Sequence, residues 1–129
     1  MKPNCAPAIL AVLLAGCSQT APPLSGGKPV DHWVKAMHEP DAGLRKTAVC
    51  KLGNAGAPDA EAWTAVCGAL RDRDTVVRRE AILAIMKCGP RAQEAIPVLG
   101  ELERQDPDAR VRLDAGKAAK KLRSEKGAS

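Results

Sequence analysis

The side chains best suited to chemistry in this 129-residue chain are five cysteines and two histidines. Thiolates and imidazoles bind transition metals when several of them converge, often with carboxylates, on one point. Beyond the N-terminal segment the chain has one His-Glu pair, His38-Glu39, and its cysteines Cys50, Cys67 and Cys88 are 17 and 21 residues apart. These spacings match no metal-binding or redox motif. We therefore predict no catalytic residue, no metal site and no cofactor.

Cys17 suggests a different chemistry, because it follows an N-terminal signal. A lysine precedes an apolar run of about ten residues, 6–15, which suits a signal sequence but is too short to span a bilayer. The run ends in LAGC, residues 14–17, where small residues give a peptidase access and the thiol is a nucleophile for a lipid. This pattern resembles the lipobox of bacterial lipoproteins. The resemblance implies removal of residues 1–16, lipid attachment at Cys17 and a location at the cell envelope, with an ordinary secretory signal as the alternative.

The segment after Cys17 has the composition of a linker. Residues 18–29 read SQTAPPLSGGKP, and such Pro-, Gly- and Ser-rich sequence predicts a flexible tether with a reach on the order of 20 Å. We place the lipidated cysteine and tether at 17–28, so that the folded part contacts the membrane through its anchor only. Without residues 1–16, which contain one lysine, 19 basic residues face 15 acidic ones, a net charge of +4.

The remaining chain repeats itself with a period of 33 to 34 residues. Each unit contains an aspartate, then an aliphatic-arginine pair, then an alanine. The aspartates are Asp41, Asp74 and Asp108; the arginines are Arg45, Arg78 and Arg112; the alanines are Ala48, Ala81 and Ala115. We assign the repeats to about 29–56, 57–89 and 90–124, which together form one domain, 29–124, followed by a short tail, 125–129.

Each unit is predicted to form two helices. Apolar residues fall at helical spacing in both halves, and the halves are separated by Glu39-Pro40-Asp41 in the first unit, where Pro interrupts a helix and Asp can cap the next one. The chain has no Phe or Tyr and two Trp, and a core of small aliphatic residues suits closely packed helices better than strands. We therefore predict an all-α fold of three helix pairs.

This pattern resembles the HEAT repeat, a pair of antiparallel helices with an Asp at the inner turn, a Val-Arg after it and an Ala-rich second helix. Together with the signal, it is similar to short bacterial HEAT-repeat lipoproteins. The resemblance implies a right-handed α-solenoid whose second helices line the concave side. It also implies a ladder of contacts between the repeated aspartates and arginines, Asp41, Asp74 and Asp108 with Arg45, Arg78 and Arg112.

Enzymes with HEAT-like folds provide the alternative class of function. The iron-dependent deoxyhypusine hydroxylases carry His-Glu pairs after the Val-Arg of several repeats, but this chain has Lys46-Thr47, Arg79-Glu80 and Leu113-Asp114 there. A likeness to phycobilin lyases concerns the fold and no particular residue. HEAT-like DNA glycosylases use aromatic and acidic groups in a basic groove, and the scarcity of aromatic residues argues against nucleic acid as a partner. A purely structural envelope protein is the third reading.

We predict instead a surface for binding another protein, one that favours an acidic partner. If the repeated alanines face the core, the residues two before and two after each one point outward, with the residue five after beside them. These positions are Lys46 and Cys50 in the first repeat, Arg79, Leu83 and Met86 in the second, and Leu113, Lys117 and Lys120 in the third. The sequence thus indicates a lipid-anchored scaffold for protein-protein interaction, and we predict that it is not an enzyme.

Overall fold

The computed structural model describes residues 24–128 and shows six helices packed against one another. The first helices of the three repeats are α1 (Val30–Ala36), α3 (Ala60–Ala69) and α5 (Ile96–Gln105). The second helices are α2 (Ala42–Asn54), α4 (Thr75–Met86) and α6 (Ala109–Gly127). This confirms the predicted all-α fold of three helix pairs. The predicted signal peptide and Cys17 lie outside the described residues.

The repeated aspartates cap the second helices, as predicted. Asp41 Oδ1 accepts hydrogen bonds from the backbone N–H groups of Gly43, at 2.6 Å, and Leu44, at 3.2 Å. Asp74 and Asp108 accept equivalent bonds at the starts of α4 and α6. A carboxylate at this position satisfies N–H groups that have no partner within the helix and complements the positive end of the helix dipole.

The core lies between the two layers of helices and is continuous along the stack. Ala48, Ala81 and Ala115 are fully buried, so the predicted inward register of the second helices is correct. Helix α4 packs between α2 and α6, and each first helix packs against the second helix of its own repeat. Neither helix of a pair can bury its apolar face alone, so the repeats stabilise one another.

Neighbouring repeats approach each other closely at Gly53 of α2. A Cβ placed on Gly53 would lie 2.6 Å from Ala84 Cβ and 2.7 Å from Ala84 Cα. Because the obstacle includes backbone, Gly53→Ala must push α2 and α4 apart, and we expect it to lower the free energy of unfolding by about 1–3 kcal/mol. Urea denaturation followed by circular dichroism measures this change.

Gly68 is the matched control for that substitution. It is also helical, in α3, but a Cβ there would meet no atom within 4 Å. Gly68→Ala should therefore raise the free energy of unfolding by up to about 1 kcal/mol, through the lower flexibility of alanine. If Gly53→Ala and Gly68→Ala changed the free energy of unfolding by the same amount, the close contact between α2 and α4 would be contradicted.

Regular secondary structure extends past both predicted ends of the repeat domain. Part of the predicted tether forms an antiparallel hairpin of β1 (Leu24–Ser25) and β2 (Lys28–Pro29). The hairpin buries Ser25. The Ser25 hydroxyl donates to the carbonyl of Lys51 at 2.6 Å, and the Ser25 carbonyl accepts from Trp33 Nε1 at 2.7 Å. At the other end, residues 125–127 of the predicted tail continue α6.

The third repeat also departs from the other two. A 3₁₀ segment, Gly89–Ala95, precedes α5, with Pro90 in its first turn. Its Arg91 guanidinium lies 5.5 Å from the centre of the Trp63 ring, a distance at which a cation is attracted to an aromatic face. This segment thereby packs the start of the third repeat onto the second.

Candidate protein-binding groove and the arginine ladder

The second helices form a groove of about 490 Å³, here called the basic groove. Most of its lining comes from α4 and α6, and one residue comes from α2. Its lining residues are Lys46, Val76, Arg79, Glu80, Ile82, Leu83, Met86, Asp114, Lys117, Ala118 and Lys121. An apolar floor edged by charged side chains is the usual composition of a protein-binding surface.

Five of the eight residues predicted for the binding surface line this groove. They are Lys46, Arg79, Leu83, Met86 and Lys117. The structure does not bring the other three into it: Leu113 and Lys120 are exposed on α6 outside the groove, and Cys50 is half-buried, with Asn54 Nδ2 at 3.7 Å from its sulfur. Protein binding at these residues stays a prediction.

The sequence analysis did not predict the groove residues that depend on how two helices pack together. Asp114 and Ala118 line it because α6 lies beside α4, and this relation between two helices is not visible in the pattern of one helix. Val76 could have been found, since it lies three residues before Arg79 and seven before Leu83, on the same helical face. It is 52% exposed.

Charge in the groove is predominantly positive. Four basic and two acidic side chains line it, a net charge of +2. Arg79 Nε lies 2.7 Å from Asp114 Oδ2, and this ion pair joins α4 to α6 along the groove. Lys46, Lys117 and Lys121 form no ion pair within residues 24–128.

Leu83 and Met86 differ in burial, which corrects our assumption that both lie away from the core. Leu83 is 56% exposed, whereas Met86 is partly buried and packs against the core. Replacing Met86 would therefore destabilise the fold as well as change the groove. Leu83 is the residue whose exposed apolar surface can be removed with little effect on folding.

A second groove, of about 510 Å³, lies on the first helices and is largely apolar. Its lining includes Val34 and Met37 near α1 and Thr64, Ala65 and Gly68 on α3. It contains none of the predicted binding residues.

The repeated arginines form a ladder, but their partners differ from those that the family resemblance implied. Arg45 Nε and Nη2 donate to Asp72 Oδ2 and Oδ1 at 2.9 and 3.0 Å. Arg78 makes the same two bonds to Asp106, at 2.9 and 3.1 Å. The capping aspartates accept bonds from helix N–H groups, and Arg45 and Arg78 pair instead with the carboxylate that comes two residues before the next repeat's cap.

The pKa of Asp72 reflects this environment. Burial by itself raises it, but the hydrogen bond from Arg45, the bond from the Asp74 N–H and the charges of Arg45 and Arg73 together outweigh burial, so the pKa is lowered. A carboxyl whose folded pKa lies below its unfolded value, about 3.9, stabilises the fold above that pH. This contribution is lost as the pH falls through the folded pKa.

The cysteines of the body are free thiols. Cys88 is buried, and Cys67 is partly buried and packs against the core. Burial is the main cause that raises the pKa of Cys67, to about 11, and it also raises the pKa of Cys88. Thiols with raised pKa values are weak nucleophiles at neutral pH.

Comparison with known proteins assigns the chain to a family. No helix within residues 24–128 combines the length and the apolar character needed to cross a membrane. Curated proteins contain no match to this sequence. A family model described as HEAT repeats matches residues 30–127, about three quarters of the chain. That match covers all six helices, so the chain belongs to the HEAT-repeat family.

Proposed function

We propose that this protein is a lipid-anchored scaffold of the bacterial cell envelope that binds an acidic segment of a partner protein in the basic groove. HEAT repeats generally act as scaffolds for protein-protein interaction, and the groove is the feature of this chain that suits such a role. The anchor is the diacylated Cys17, the last residue of the LAGC motif. The function has no catalytic step.

The observation that carries this proposal is the exposed apolar surface of Leu83 inside a charged rim. Leu83 and Val76 are both more than half exposed on α4, and Lys46, Lys117 and Lys121 surround them without ion-pair partners in the described part of the chain. Interfaces draw most of their affinity from a few apolar anchors that become desolvated, ringed by polar groups. The positive rim contributes mainly to the rate and selectivity of association.

A comparison of two leucine substitutions tests the groove. Leu83→Ser removes the exposed apolar anchor, whereas Leu44→Ser removes a similarly exposed leucine, 51% against 56%, outside the groove. Tagged wild type and both variants are purified from detergent-solubilised membranes of the native host, and co-purified proteins are quantified by mass spectrometry. We expect an acidic protein that wild type and Leu44→Ser retain equally and Leu83→Ser loses at least tenfold.

Two further measurements make that comparison decisive. Thermal melts of both variants should match wild type within a few degrees, because neither leucine is in the core. The partner recovered with wild type is then purified, and its binding is measured against Lys117→Glu, which should slow association more than it speeds dissociation. Equal capture by Leu83→Ser and wild type would exclude the groove as the binding site.

The anchor requires a separate experiment. Cells expressing wild type or Cys17→Ser are labelled with a radioactive fatty acid. Since only a thiol accepts the diacylglyceryl group in this pathway, we expect label on wild type alone and an unprocessed precursor for Cys17→Ser. Equal labelling of both would exclude Cys17 as the attachment site.

A further inference from the structure

The third arginine of the ladder, Arg112, differs from the other two in its partners. Each repeated arginine donates through Nη1 to the backbone carbonyl six residues earlier: Arg45 to Glu39 at 2.9 Å, Arg78 to Asp72 at 2.9 Å and Arg112 to Asp106 at 2.7 Å. All three guanidinium groups are therefore held in the same way by their own repeat. Arg45 and Arg78 also bind the aspartate of the following repeat, whereas Arg112 binds no carboxylate within residues 24–128.

The Arg112 guanidinium is accordingly held by its own repeat with two donors unused. Its Nε and Nη2 have no hydrogen-bond partner within residues 24–128, although the same atoms of Arg45 and Arg78 each bind a carboxylate oxygen at 2.9 to 3.1 Å. A guanidinium fork of this kind matches a carboxylate through two parallel bonds. Because the Nη1 bond already fixes the Arg112 guanidinium, its side chain loses less conformational entropy on binding than a mobile surface arginine would.

We propose that Arg112 is a binding site for an aspartate carboxylate supplied by an acidic turn of a partner protein. The two arginine-aspartate pairs, Arg45–Asp72 and Arg78–Asp106, indicate which ligand Arg112 would bind. Asp72 and Asp106 each accept a further bond from the N–H two residues later, at 2.8 and 2.9 Å. The preferred ligand is therefore an Asp-x-Asp turn, in which the first carboxylate is held by its own backbone and presents both oxygens to arginine.

A second copy of this chain is a poorer occupant than a different acidic protein. The residue of the first repeat that corresponds to Asp72 and Asp106 is Glu39, and it accepts no bond from the N–H of Asp41 in the described residues. Two further basic residues of α6, Lys120 and Arg123, are exposed. The positive charge of these side chains attracts acidic segments.

This site lies outside the basic groove, whose lining does not include Arg112, and it does not depend on the function proposed for that groove. The probe is the peptide acetyl-Gln-Asp-Pro-Asp-Ala-amide. It copies residues 105–109 of this chain, in which Asp106 binds Arg78. A peptide of the same composition and charge, acetyl-Asp-Pro-Gln-Ala-Asp-amide, lacks the Asp-x-Asp turn. It is the control ligand.

The experiment follows the arginine Nε–Hε signals of the full chain, purified in a nonionic detergent, by NMR during titration with each peptide. Arg112→Lys assigns its signal by removing it, and Arg110→Lys does the same for an exposed arginine in the same helical turn. We expect the Arg112 signal to move with saturation at millimolar peptide and to move at least threefold less with the control peptide. Arg45 and Arg78 should not respond, because their forks are occupied.

Three outcomes would overturn the proposal. Equal shifts at Arg112 and Arg110 would show general attraction between charges, and equal effects of the two peptides would show that the turn is not recognised. An Arg112 shift that depends on protein concentration without peptide, and that Glu39→Gln removes, would assign the site to a second copy. Leu83→Ser should leave the Arg112 titration unchanged, so failure of the groove and failure of this site are distinguishable.

Discussion

Arg78→Met is expected to lower the free energy of unfolding by about 3–5 kcal/mol, the usual cost of removing one partner from a buried ion pair. The side chains of Arg78 and Asp106 are 10% and 3% exposed. Methionine can replace the aliphatic part of arginine, so the loss arises mainly from the buried Asp106 carboxylate, which would keep the N–H of Asp108 as a donor at 2.9 Å. Since domains of this size are stabilised by roughly 5–15 kcal/mol, the variant should be close to unfolding.

Arg79→Met is the matched control in the next position of α4. Its ion pair with Asp114 is much more exposed, 41% and 30%, and pairs of this kind contribute about 1 kcal/mol or less. Urea denaturation at neutral pH compares the two variants. Adding Asp106→Asn to Arg78→Met should recover part of the loss, because asparagine keeps the acceptor and removes the buried charge. Equal effects of Arg78→Met and Arg79→Met would show that burial does not determine the strength of the ladder.

Ala81→Asp is the second change with a large expected effect, about 4 kcal/mol or more. Ala81 is fully buried in the hydrophobic core, so a carboxylate there would lose its hydration. Whether it remains charged or becomes protonated, burial of the group costs free energy that its neighbours do not offset. The melting temperature measured by circular dichroism should fall sharply, or the chain should fail to fold.

Leu83→Asp controls for the general effect of aspartate in α4. Leu83 lies two residues after Ala81 and is more than half exposed, so its carboxylate would remain hydrated. We expect a loss of at most about 1 kcal/mol, from the lower helix propensity of aspartate and a small loss of apolar contact. If the two variants melted at the same temperature, the assignment of core and surface along α4 would be wrong.

The sequence alone determined the helix pairs, the register of the second helices and the role of the capping aspartates. These features depend on interactions within one repeat: Asp41 bonds to N–H groups two and three residues later, and the buried alanines recur at a fixed period. Local hydrogen bonds and helical periodicity can be predicted from residue types and their spacing along the chain. Repetition strengthened the inference because three units carry the same pattern.

Only the tertiary structure decided which carboxylates the arginines bind and which side chains form the basic groove. Arg45 reaches Asp72, 27 residues away, because the next repeat places that residue beside it while the capping aspartate is already occupied by helix N–H groups. Asp114 joins the groove because α6 packs next to α4, and Ser25 is buried because the hairpin folds back onto α2. Such contacts depend on the angle and distance between elements, which the spacing of residues along one helix does not contain.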